Sequence, residues 1–153
     1  MITSSVAHRR LWRGEQGAVH AVELLFCAPL LVAFLVLVVL GGRIAFARQA
    51  VHTAAVDAVR AASIARSASA AETSAEEWAQ TSLANQGINC VTLDVTVDTA
   101  GFSRPVGTPA RVALTVRCDV YTGDLVLPGV PLPGSVRVEQ TTESVLDTYR
   151  SRR

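Results

Sequence analysis

The most constraining feature of the chain is a long apolar segment near its amino terminus that contains one acidic residue. Residues 18–40 are apolar except for His20 and Glu23. As a helix, these 23 residues would extend about 34 Å, enough to cross a hydrocarbon core about 30 Å thick. A carboxylate inside a bilayer costs roughly 2.5–3.5 kcal/mol on insertion scales. Glu23 is therefore expected to be protonated or to have a dedicated partner.

A retained single-pass anchor fits this segment better than a cleaved secretory signal. Secretory signals have apolar regions of about 7–15 residues followed by a cleavage site of small residues. The apolar run here is longer, and Gly41-Gly42-Arg43 does not fit such a site. Three arginines precede the run within residues 9–13, and two follow it at positions 43 and 48. This small excess favours a cytoplasmic amino terminus.

The helix is predicted to continue beyond the membrane. Residues 43–66 contain no Gly or Pro and are rich in Ala, the best helix former. Small apolar residues recur at helical spacing and predict one buried face. This face could pack on a sheet of the same chain or on another helix. It consists of Ala47, Ala50, Val51, Ala54, Ala58, Ala61, Ala62 and Ala65.

A second, shorter helix is predicted after a break within residues 67–71. Its start is expected at Thr73 or Ser74, because each is followed three residues later by a Glu that completes a capping box. Trp78 and Leu83 fall on its apolar face. Gly87 is expected to end it, since Gly favours the left-handed conformation found just past helix ends.

From Cys90 the pattern changes from helical to alternating, which indicates strands. A third strand is expected over residues 135–141, after a turn segment with three Pro at 127–134. Three strands with one apolar face need a cover, which the long helix can supply. The expected fold class is therefore α+β: a long helix followed by a small antiparallel sheet. The inward residues would be Val91, Leu93, Val95 and Val97 in residues 90–98, and Val112, Leu114 and Val116 in residues 111–120.

One of the three cysteines lies in the apolar run, and the other two lie at the predicted strands. Cys27 lies in the apolar run and is expected to behave as a small apolar residue. Cys90 and Cys118 open and close the first two strands, which suits a disulfide in an oxidising compartment. Regular alternation would point them to opposite faces, and a β-bulge or a strand that starts after Cys90 would remove the conflict. A disulfide and two separate thiols therefore both stay open.

No pattern of catalytic, cofactor-binding or metal-binding residues is found in the sequence. The hydroxyls of Ser103 and Thr115 have no evident base, since the chain lacks Lys and its three His lie in the leader or the long helix. There is no Gly-rich phosphate loop, and the net charge of +1 does not indicate a nucleic-acid partner. A solvated strand face is expected for the four acids that lie in or beside strands without a calcium-loop pattern: Asp94, Asp98, Asp119 and Asp124.

The order of motifs at the amino terminus carries a family resemblance. Basic residues precede Glu15-Gln16-Gly17, and a short Ala/Val stretch then leads to Glu23-Leu24, Pro29 and a Leu/Val-rich span. This order resembles type IV pilin-related proteins and, more narrowly, the TadE-like family of minor pseudopilins of tight-adherence pilus systems. The resemblance continues through Gln49, the Cys-bounded strand pair, Leu132-Pro133-Gly134 and residues 145–150.

The resemblance implies a pilin-like fold and a prepilin-like precursor. A membrane aspartyl peptidase would cut after a small residue, so that Gly17 and Ala18 form the processing junction. In such proteins the acid, here Glu23, stands five residues after the cut and neutralises the amino group of a neighbouring subunit. Cleavage after Gly17 puts Glu23 at position six, and cleavage after Ala18 puts it at position five. An unprocessed anchor is the other possibility.

The expected organisation is a cytoplasmic leader (1–17), a transmembrane helix (18–42), an extracytoplasmic helical region (43–87) and an extracytoplasmic β domain (88–153). The expected function is structural, as a subunit or assembly factor of a tight-adherence pilus or secretion system in the bacterial cytoplasmic membrane. Its partners would be pilus or pseudopilin subunits, a prepilin peptidase and membrane lipid. The alternatives are an unprocessed anchor whose exported domain binds another envelope partner, and an exported hydrolase.

Overall fold

The computed structural model describes residues 12–123 and 134–151, and side chains from residue 24 onward. It confirms the predicted α+β class: a long apolar helix, a second helix and a three-stranded antiparallel sheet. Residue contacts divide the chain into two compact units with a boundary between Leu40 and Gly41. The elements are α1 (Trp12–Ile64), α2 (Ala68–Asn85), β1 (Cys90–Asp98), a short 3-10 helix (Ala100–Ser103), β2 (Ala110–Tyr121) and β3 (Ser135–Leu146).

The first unit contains the apolar part of α1. Its large side chains are exposed: Leu25, Phe26 and Leu30 are each at least 70% accessible. Pro29 lies inside α1 without ending it. Among the described residues, α1 is the one helix long and apolar enough to cross a membrane. The predicted leader lies partly outside the described residues, because these begin at Trp12.

The second unit is built around the sheet, whose strand order is β1-β2-β3. One face of the sheet is buried with the small residues of α1 and α2 in a single apolar core. Three central β2 side chains, Val112, Leu114 and Val116, are at most 1% exposed, as predicted. The α1 face is also mostly as predicted, with Ala55 and Val59 added and Ala61 and Ala65 only partly buried.

A β-bulge near the start of β1 corrects one inward assignment. Cys90 pairs with Val120, whereas Thr92 pairs with Asp119, so Val91 is the additional residue. The bulge turns Val91 outward, and it is 62% exposed instead of buried. Leu93, Val95 and Val97 remain on the inner face, partly buried against the core.

The helix break lies earlier than predicted. α1 ends at Ile64 and α2 begins at Ala68, so the expected start at Thr73 or Ser74 is wrong. The reason is Ser67, which precedes Ala68 directly and caps the helix: its hydroxyl accepts a hydrogen bond from the backbone amide of Ala70 at 3.2 Å. The end is as expected: Asn85 is the last helical residue, and Gly87 has φ +69°.

Three polar contacts fix the helices within this unit. The Thr142 hydroxyl of β3 donates to the Ala55 carbonyl of α1 at 3.1 Å. The Ser82 hydroxyl of α2 donates to the Asp57 carboxylate at 2.7 Å, and the Gln86 amide donates to the Ala50 carbonyl at 3.3 Å. Because Ala side chains offer little interdigitation, these hydrogen bonds help to set how α1 and α2 pack.

Candidate assembly surfaces

The residues predicted to act in assembly all lie in α1. Gly17, Ala18 and Glu23 fall within Trp12–Ile64, and their side chains lie outside those the structure describes. A helical backbone places residues 18 and 23 about 7.5 Å apart along its axis. The roles of Gly17 and Ala18 as processing junction and of Glu23 in subunit pairing stay predictions.

The apolar surface of α1 begins directly after Glu23. From Leu24 to Val39 nearly every large side chain is about half exposed or more, including Phe34 at 61% and Leu35 at 60%. Such a surface is too apolar to be stable in water, and contact with lipid or with other apolar helices would bury it. It suits either a membrane-embedded subunit or a packed helical filament.

The predicted disulfide is confirmed. Cys90 and Cys118 are bonded with a Cα–Cα distance of 5.3 Å. The bulge at Val91 reverses the phase of Cys90, so that both sulfurs reach the same face of the sheet. Residue 27 carries the free cysteine of the chain and is exposed within the apolar run. A disulfide is typical of an oxidising compartment.

The outer face of the sheet carries charged side chains that pair across strands. Arg117 in β2 lies between two acids, 3.2 Å from Asp94 of β1 and 3.1 Å from Glu139 of β3. Arg137 contacts Asp119 at 2.8 Å through its Nε. The alternating pattern of β3 is the sequence signal that could have revealed these pairs, because odd-numbered residues from 135 to 145 share the outer face.

These ion pairs shift the pKa values of the side chains that form them. Hydrogen bonds from Arg137 and then from Thr92 lower the pKa of Asp119 to about 2. The reciprocal hydrogen bond from Asp119 raises the pKa of Arg137, and that of Arg117 is raised chiefly by Glu139. With opposite charges matched, this face has the character of a solvated surface.

Of the four acids considered for a calcium site, those that the structure describes make ion pairs or a backbone hydrogen bond. Asp94 and Asp119 pair with arginines, and Asp98 accepts a hydrogen bond from the amide of Ala100. Asp124 lies outside the described residues. Within residues 12–123 and 134–151, no three His, Cys, Asp or Glu side chains gather into a group that could hold a metal.

Comparison with known proteins gives a match for part of the chain. Residues 19–60 match the family model described as TadE-like protein. The match contains Glu23, the exposed apolar run and most of the buried small-residue face of α1. Neither the curated proteins nor the solved structures give a match. Over these residues the chain is similar to the TadE-like family, which suggests involvement in a tight-adherence pilus system.

Proposed function

We propose that this protein is a minor pseudopilin: a membrane-anchored structural subunit or assembly factor of a tight-adherence pilus or secretion system. The supporting observation is that the family match spans the apolar helix, its acid and the small-residue helix that follows, residues 19–60. The same chain continues into a disulfide-bonded head. A long helix whose apolar run contains one acid, followed by a compact exported head, is the arrangement a pilus-like assembly requires.

Glu23 is proposed to pair with the positive amino terminus of a neighbouring subunit. An ionised carboxylate among apolar side chains is unfavourable alone and tolerable when paired and hydrogen-bonded. Glu23 directly precedes the exposed run from Leu24 in the sequence, so a partner helix that covers this run would approach it. Pairing would therefore couple helix association to charge neutralisation.

The proposal also includes the membrane orientation and the processing. Residues 1–17 form a cytoplasmic leader, 18–42 span the cytoplasmic membrane, and 43–87 with 88–153 lie outside. A prepilin peptidase is proposed to cut at Gly17 or Ala18, and bacterial pilus or pseudopilin subunits are the proposed partners. The disulfide supports this orientation, because such bonds persist outside the reducing cytosol.

Mass spectrometry of the protein from its native membrane tests processing. We expect a mature amino terminus at Ala18 or Val19. Gly17→Leu should block only a cut after residue 17, and Ala18→Leu only a cut after residue 18, because the peptidase requires a small residue before the bond. An intact leader in the unsubstituted protein contradicts processing and favours an unprocessed anchor with another envelope partner.

The spacing of the acid is the observation that keeps this anchor as the second candidate. A cut after Gly17 leaves Glu23 one residue late. The anchor and the pseudopilin also differ in what Glu23 does. In the pseudopilin, Glu23→Ala should abolish crosslinking to neighbouring subunits, and Glu23→Gln should retain it in part through hydrogen bonding. Unchanged crosslinking in both variants contradicts the proposed pairing.

A further inference from the structure

The part of α1 that packs on the sheet exposes basic side chains. Arg48 and Arg60 lie on its exposed side, about 18 Å apart along the helix axis, and Arg66 is exposed just past its end. The acid in this part of the helix is Asp57, which is partly buried and accepts a hydrogen bond from the Ser82 hydroxyl at 2.7 Å. The exposed side of α1 therefore forms a basic surface of Arg48, Arg60 and Arg66.

Arg43 is also exposed on α1 but is not counted in this basic surface. It lines a pocket together with Phe46 and Tyr121, and it already makes an interaction within the chain. No part of the following inference depends on it.

The second helix exposes the opposite charge. α2 contains no Arg, Lys or His, and its three acids, Glu72, Glu76 and Glu77, are all exposed. Glu76 accepts a hydrogen bond from the Gln80 amide at 3.4 Å, which leaves its charge in place. These three residues form an acidic surface on α2.

Neither helical surface is neutralised by a close partner in the same chain. Within residues 12–123 and 134–151, none of the six side chains makes an ion pair. The outer face of the sheet differs, because Arg117 there lies between Asp94 and Glu139 and its charge is matched within the chain. Surfaces of opposite sign attract each other across an interface, and surfaces of like sign repel.

We propose that the basic surface of α1 in one copy docks on the acidic surface of α2 in a second copy. Each copy has both surfaces, so the contact joins two different faces and can repeat from copy to copy. Exposed ion pairs are individually weak, and their role here is to select which faces meet. The inference depends on the proposed function, because anchoring in one membrane raises the effective concentration of the copies.

Crosslinking between two differently tagged full-length copies tests the contact. Both copies have Cys27→Ala, one has His52→Cys on the exposed side of α1, and the other has Gln80→Cys beside the acids of α2. They are produced together, and isolated membranes are treated with a short bismaleimide. The mixed product should exceed the products that join two copies with the same cysteine. Equal yields of the three products contradict the proposal.

Charge reversal gives the sharpest form of this test. Arg48→Glu with Arg60→Glu, placed in both copies, should remove most of the mixed product, and so should Glu72→Arg with Glu76→Arg. The product should return when the copy with His52→Cys carries the first pair of substitutions and the copy with Gln80→Cys carries the second. Failure of this combination to restore the product contradicts the proposed contact.

Two measurements separate a lost attraction from a damaged fold. Raising NaCl from about 0.1 M to about 1 M shortens the Debye length from about 10 Å to about 3 Å. Membranes with both charged surfaces intact should therefore lose most of the mixed product at high salt. Arg48→Gln with Arg60→Gln should lower the yield less than the reversal does. A yield that is independent of both salt and charge contradicts the proposal.

The remaining outcomes distinguish this inference from the proposed function. If Glu23 supports crosslinks to neighbouring subunits but the α1–α2 product does not form, this inference alone fails. If the α1–α2 product forms in a protein with an intact leader, the processed pseudopilin fails and this contact stands. Crosslinking of both cysteines only to another envelope protein also contradicts the contact between copies.

Discussion

The two parts of α1 are both rich in apolar residues, yet they are built for different surroundings. Between Leu24 and Val39 the side chains are large and exposed, as with Leu25 at 72%. Between Ala47 and Ala62 the buried residues are mainly Ala, with Ala54 and Ala58 at 0%. Lipid accepts bulky side chains without a fixed geometry, whereas a helix that lies on a sheet needs small ones. Side-chain size thus separates the two regions.

Charges placed in the first region should have the largest effect. Leu31→Arg with Leu35→Arg adds roughly 5–7 kcal/mol to membrane insertion, about twice the cost of one central Arg. The inserted fraction in a translocon-based assay should fall clearly. Ala45→Arg with Gln49→Arg, at exposed positions of the second region, should leave insertion unchanged. Equal losses in both pairs would show that the regions do not differ in this way.

Removal of the disulfide should destabilise the sheet on which the second region packs, and it should leave insertion of the first region unchanged. Cys90→Ser with Cys118→Ser opens a bond between residues 28 positions apart, worth about 3–4 kcal/mol in the chain-entropy model. Urea unfolding in micelles, followed by the fluorescence of Trp78, should show this loss while insertion persists. Cys27→Ser is the control and should not change the unfolding midpoint. A head as stable without the bond contradicts the assigned role.

Enlargement of the small-residue face should destabilise the head. Ala54→Leu adds three carbons where the side chain is fully buried, and overpacking typically costs about 1–3 kcal/mol. The same change at exposed Ala45 should cost little. Urea midpoints of the two variants measure the difference. Equal midpoints would mean that the face is not packed as described.

Acid should have the smallest of these effects. It should lower the free energy of unfolding through the charge pairs on the outer face of the sheet. The pKa of Asp119 is about 2 in the folded protein and near 3.8 unfolded, so its contribution is present above pH 4. As pH falls from about 4 to 2, the unfolded state takes up the proton first and this stabilisation is lost. Asp119→Asn should flatten that part of the stability–pH curve. The proposal on this pair fails if the curve of the variant matches that of the original protein.

Sequence pattern alone predicts the elements that have a strict period. β1 was expected at residues 90–98 and is Cys90–Asp98, because alternation continues to its end. β3 continues to Leu146, five residues past the expected end, because pairing with β2 compensates for the polar Thr142 and Ser144 on its inner face. Periodicity does not predict features that a local contact determines, such as the bulge at Val91 and the helix cap at Ser67.

Some features of the candidate site could also be predicted from the sequence, and others could not. The cysteine pairing could be expected from strand ends, and the family from the order of motifs around Glu23. The pocket lined by Phe46 and Tyr121 could not be predicted, because these residues lie 75 positions apart in the sequence and come together only in the tertiary fold. Arg117 with its two acids likewise needs the strand register before the pairs can be assigned.

Cysteine accessibility in intact cells tests the contrast between the two regions most directly. Cys27 should resist a membrane-impermeant maleimide until detergent is added, because lipid around the thiol keeps a water-soluble reagent away from it. In a Cys27→Ala background, Ala45→Cys should react from outside without detergent. Rapid labelling of Cys27 in intact cells, or labelling of Ala45→Cys only after lysis, would contradict an anchor in lipid with an exported head.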